Sequence, residues 1–144
     1  MTINHSIRDW INYKQPEFAA ITSLPVVVMG ERLDLNTPYI TVHETGQEGT
    51  EQNGVFMRGV SAFTVKVELV TVPVAETEEG TDESDRLQMQ TDMMNVLGDT
   101  DAISWASERN GWRIFDIRGG VPTQESTDGQ LISSYDLTVI ACPI

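Results

Sequence analysis

At 144 residues, 40% of them hydrophobic, the chain is sized for a single domain that buries one core without metals or disulfides. Its formal net charge of -13 comes from 22 acids against 9 bases, and only Lys14 and Lys66 are lysines, so wrapping nucleic acid by phosphate neutralisation is disfavoured. One cysteine, Cys142, rules out an internal disulfide framework or a multi-cysteine zinc site. No apolar run approaches the ~18 residues of a membrane span, and the N-terminus carries no basic leader before an apolar block, so a cytoplasmic, non-membrane chain is expected.

Ile3, Ile7, Trp10 and Ile11 recur on one helical face, which predicts an amphipathic helix over 2–14, where Pro16 stops it or starts a new turn. Leu24-Pro25 pushes the chain toward extended geometry, and 26–29 reads as a short strand. "TPYITVHETG" reads as another, with Ile40 and Val42 on one face. "TGQEGTEQNG" has the composition of a hairpin loop or a mobile tip. The clearest strand lies within "VFMRGVSAFTVKVELVTVP", where Phe63, Val65, Val67 and Leu69 share a face opposite Thr64, Lys66 and Glu68. Val70 and Val72 break that alternation, which implies that something covers the far end of the strand.

Six of the eleven residues from Ala75 to Asp85 are acidic, namely Glu76, Glu78, Glu79, Asp82, Glu83 and Asp85, and no base appears until Arg86. The run reads as a solvated loop. Asp82 or Ser84 then caps a helix through Leu87, Met94, Val96 and Leu97, with acids at its positive end and Gly98 as its stop. "DTDAISWASERNG" reads as a second short helix. "GWRIFDIRG" and "LISSYDLTVIACP" read as strands, the latter with Tyr135, Leu137, Val139 and Ala141 on one face, and "VPTQESTDGQ" between them reads as a loop. The expected fold is α+β: one domain over 1–144, with a mostly antiparallel β-sheet packed against an N-terminal helix and a central helix.

The chain offers little for chemistry. His5, His43 and Cys142 sit in no nucleophile or metal pattern, and the phosphate-binding glycine motifs are missing. Asp99 and Asp101 have the opening spacing of a calcium loop, but Ile103 stands where a third oxygen ligand belongs and the central glycine is lacking. No catalytic residue, metal or cofactor is therefore assigned, and an enzyme is not expected. Trp105, Trp112 and Arg113 form a local aromatic and basic cluster, with Arg109 and Arg118 close by, that reads as core packing or as an interface anchor, since Trp and Arg are enriched at hot spots. Val70, Val72, Trp105, Arg109, Trp112 and Arg113 make up the candidate subunit interface. Acids on one part of a subunit and arginines on another suit head-to-tail pairing, which builds rings.

The order of an N-terminal helix, "TPYITVHE", "FTVKVELV", "DRLQMQTDMMNVL", "WRIFDIRGGVPTQES" and "YDLTVIACP" resembles the tail terminator, or tail-completion, proteins of long-tailed bacteriophages and the related neck proteins. The resemblance implies a virion protein that forms a ring, commonly a hexamer. Such a ring caps the tail tube protein's tube, meets the head-tail connector protein, and lets genomic DNA pass without specific binding. It also implies that the loop with Glu76, Glu78, Glu79, Asp82, Glu83 and Asp85 faces the lumen or the adjacent ring, where like charge repels phosphate. The alternatives are a tail tube or other neck subunit, and a monomeric ligand-binding α+β domain with a closed pocket.

Overall fold

The computed structural model describes residues 3–28, 36–52, 55–74, 80–98, 111–119 and 122–144, and within these the side chains of all but 44–52 and 55–58. Helix α1 (Ile3–Lys14) forms where the apolar spacing predicts it, and Ile3, Ile7, Trp10 and Ile11 are all buried. Its last turn is fixed by Lys14, whose ammonium lies 5.3 Å from the Trp10 ring centroid and 3.0 Å from a Glu17 carboxylate oxygen. Pro16 converts the continuation into one 3-10 turn, Gln15–Glu17. The chain then turns through 18–25 into β1 (Val26–Val28), where the Gln15 amide donates to the carbonyls of Ile21 and Leu24, both at 2.8 Å.

The remaining strands are β2 (Tyr39–Gln52), β3 (Val55–Thr71), β4 (Trp112–Gly119), β5 (Thr123–Thr127) and β6 (Gln130–Pro143), with helix α2 (Glu83–Leu97) between β3 and β4. They make a six-stranded sheet in the order β1-β2-β3-β6-β4, with β5 also on β6. Only β1 and β2 pair in parallel; the other pairings are antiparallel. One edge of β6 pairs with β3. Its other edge is shared, β5 taking Gln130–Ser134 and β4 taking Leu137–Pro143. Asp128 (φ 51°) and Gly129 (φ 77°) form the two-residue turn between β5 and β6, a left-handed pair suited to the twist of a hairpin.

Side-chain alternation sorts the sheet into two faces. Ile40, Val42, Phe63, Val65, Val67, Leu69, Tyr135, Leu137, Val139 and Ala141 form one core cluster with the apolar faces of both helices. The two helices meet over it, where the Trp10 indole N–H donates to the Val96 carbonyl at 3.2 Å. The opposite face is polar. There His43 Nε2 lies 3.1 Å from a Glu68 carboxylate oxygen, and Lys66 stands opposite Asp136. Val70 ends this face between Tyr39 and Ile132 and is only 3% exposed.

Three local expectations need correction. "TGQEGTEQ" is not a loop: β2 runs through it to Gln52, with register shifts at Glu44/Gly46 and Gly49/Glu51, because β3 is long enough to pair with it. "TQEST" is likewise a strand, recruited onto β6 by the Asp128-Gly129 turn. On α2, Leu87 and Met94 face outward, each 48% exposed, whereas Arg86, Asp92, Met93, Val96 and Leu97 face inward. The inner carboxylate of Asp92 is satisfied by the Ala20 amide at 3.2 Å and the Gln88 side chain at 3.0 Å, so a polar residue can occupy that face.

The start of α2 follows the sequence. Asp82 is extended, and its carboxylate accepts from the Asp85 amide at 2.8 Å, with Glu83 and Asp85 in the positive first turn. Replacing Asp82 by Ala is expected to cost about 1 kcal/mol, seen as a lower urea midpoint with an unchanged slope.

Candidate assembly surface

Of the predicted interface residues, those described stand apart: Val70 is opposite Ile132 and Trp112 opposite Pro143, at the two ends of β6. Val70 is covered within its own chain and Val72 is half-buried. Trp112 packs edge-on against Phe63, with ring centroids 5.2 Å apart and an interplanar angle of 82°, so it serves the core. Arg113 is exposed on β4 opposite Cys142. Trp105 and Arg109 lie outside the described residues, as do Asp99, Asp101 and the second short helix. Of the acidic run, Glu76, Glu78 and Glu79 also lie outside them, while Asp82, Glu83 and Asp85 are exposed together on the first turn of α2.

Where β3 leads toward α2, the chain folds tightly back on itself. The Thr81 amide donates to the Val72 carbonyl at 2.7 Å, and Pro73 bridges to Thr81. Gly80 is required at this crossing, since a Cβ there would collide with the Pro73 carbonyl oxygen. The fold-back leaves a half-open cleft of about 330 Å³ lined by Pro73, Val74, Thr81, Asp82, Glu83, Arg86 and Leu131. Arg86 is the residue here that sequence reasoning missed. It is 8% exposed, its Nη2 is 3.9 Å from a Glu83 oxygen, and its buried Nη1 has no hydrogen-bond partner. The one available signal was its place as the first base after the acids.

A second half-open cleft, of about 220 Å³, lies at the other end of α2 between Met94, Leu97, Gly98, Gly119, Tyr135 and Leu137. Tyr135 is buried there, and its hydroxyl donates to the Gln90 carbonyl at 3.1 Å. Burial pushes its phenol well above the ordinary value. The folded value is the raised one, so this group's contribution to stability is intact below about pH 10 and is lost as pH rises from there through the folded value. Denaturant midpoints taken across the alkaline range should fall, and Tyr135→Phe should remove that share of the fall.

At the margin of the sheet, β4 pairs with β6 on one side, and no described strand pairs with its other. A register shift between Ile114 and Asp116 makes Phe115 the extra residue of a bulge, and this aromatic ring is 46% exposed. Beside it, Arg118 Nε lies 2.7 Å from an Asp116 carboxylate oxygen.

Among the described residues, no group of three or more His, Cys, Asp or Glu side chains converges as a metal ion would require, and no described helix is long and apolar enough to cross a membrane. The surface offers apolar side chains, a strand edge and separated charges, which are the materials of protein contacts. No protein-family model matches the chain, and no curated protein matches it significantly.

Proposed function

We propose that the chain is a structural virion protein, a ring-forming tail terminator of a long-tailed phage that caps the tail tube and joins it to the head-tail connector. What supports this most is the one-sided construction of the sheet. Both helices cover the same face, while Phe115 and the edge of β4 with which no described strand pairs stand at the margin. Exposed edges and apolar side chains are liabilities that a partner removes. Copies of the same chain placed head to tail remove them repeatedly and close a ring.

In this reading the tail tube protein and the connector protein are the other partners, and assembly takes place in the host cytoplasm. The acids at the start of α2, with those of the preceding loop, face the lumen or the adjacent ring. There they repel passing DNA. Stability comes from apolar burial between subunits, and rim charges fix register.

Particle imaging of the purified protein, alone and with tail tubes, tests the reading. Single closed rings seated at tube ends are expected. Indefinite stacking would reassign the chain to the tube itself. A chain that stays monomeric in both conditions, or a ring with a positive lumen, overturns the proposal.

A further inference from the structure

A buried cation without a partner is costly, and Arg86 is close to that state. Its Nη1 has no hydrogen-bond partner, and its one ionic neighbour among the described residues, Glu83, stands 3.9 Å away on a side chain that is 82% exposed. That separation is too long for a hydrogen bond and leaves a weak, solvated pair. Arg86 also lies near the positive end of α2, where a cation is disfavoured. Nothing in the described chain compensates, so the cleft suits a ligand that brings a carboxylate.

The rim narrows the ligand further. Asp82 and Glu83 border the same cleft and repel a bare anion, whereas Pro73, Val74 and Leu131 give it apolar walls. The matching ligand carries an apolar group, a carboxylate for the interior and a cation for the rim. The chain itself displays that set on β4, in Phe115, Asp116 and Arg118, the arginine side chain being 71% exposed.

We propose that this segment of one copy docks into the Arg86 cleft of a second copy. Phe115 packs on Val74 and Leu131, Asp116 pairs with Arg86, and Arg118 meets Asp82 and Glu83. The second copy supplies a carboxylate to Arg86 where it lines the cleft, a residue that Glu83 pairs only weakly. A solvated Asp116–Arg118 pair, worth little on the surface, is exchanged for two pairs sheltered from water. Cleft and segment are different surfaces, so every copy uses both, and the contact is head to tail. The inference rests on the ring reading and revises one part of it: Asp82 and Glu83 stand in the subunit contact, and the remaining acids of the run are left to the lumen or the adjacent ring.

Sedimentation velocity on the full chain tests it with Arg86→Met and Asp116→Asn, alone and mixed. Each single variant is expected to weaken self-association on the order of a hundredfold. Their equimolar mixture is expected to stop at one-to-one dimers, because Arg86→Met keeps the segment intact and Asp116→Asn keeps the cleft intact. Arg86→Met is also expected to melt no lower than the parent chain, since it removes an unpaired charge. A loss of association accompanied by a clear drop in melting temperature would show a structural role and overturn the proposal. Single variants that associate like a self-associating parent overturn this contact and leave the ring reading standing. A parent chain that is monomeric at every concentration and with tail tubes overturns both.

Discussion

Replacing Trp10 by Ala is expected to destabilise the fold by about 3–5 kcal/mol, the range for removing a large buried aromatic side chain. Trp10 is where α1 is tied to the rest of the domain: its ring is buried in the core, its N–H holds the Val96 carbonyl of α2, and Lys14 and Tyr13 pack on it. Removing it opens a cavity between the helices and leaves that carbonyl without its indole donor. The thermal midpoint should fall on the order of 10 °C. Trp10→Phe keeps most of the apolar area and loses the hydrogen bond, so it should cost less, about 1–3 kcal/mol. An alanine variant that melts with the parent would mean that α1 does not close the core.

The second large effect is expected at Gln15. This buried amide donates to two carbonyls of the turn that carries the chain from α1 into β1. The Ile21 carbonyl also accepts from the Leu24 amide at 3.1 Å, so Gln15→Leu strands the Leu24 carbonyl more completely. The expected loss is about 2–3 kcal/mol. It should be locally visible, because the Ile40 amide, which donates to the Pro25 carbonyl at 2.8 Å, marks the junction of this turn with β2. Hydrogen exchange at Ile40 should accelerate more in Gln15→Leu than at the centre of β3. Uniform acceleration would refute the view of Gln15 as a local clamp.

Much of the fold was legible in the sequence because burial is one-sided. A sheet with helices on one face enforces period-two alternation, and Phe63 to Leu69 and Tyr135 to Ala141 carry it clearly. The end of α1 before Pro16, the cap by Asp82, one of two candidates, and the stop at Gly98 follow from local chemistry and stand where the residues put them. Failures occur where a distant segment decides. The polar stretches that became the end of β2 and the whole of β5 have little strand propensity of their own, and each is strand because β3 or β6 offers a free ladder beside it.

Helix α2 illustrates the same limit. Leu87 and Met94 form one plausible stripe, and Met93, Val96 and Leu97 another. Packing selects the second and draws Arg86 and Asp92 in with it, which a hydrophobic pattern cannot anticipate. The candidate assembly surface was less legible for that reason. Trp112 was expected to be core or interface and sits against Phe63, while Arg86 gained its interest only from burial without a partner, which is a property of the folded chain. Phe115 reads as an ordinary strand residue until the bulge turns it out.

The sharing of β6 bears on synthesis. All three of its ladder partners precede it in the chain, so a ribosome releases β3, β4 and β5 before the strand that joins them has been made. Until residues 130–143 emerge, the nascent polypeptide holds a half-sheet whose β3 edge is open. Completion of the β4 margin and sealing of that edge are thus one late event. Translation that halts before Gln130 should yield fragments that clump or are degraded instead of folded domains.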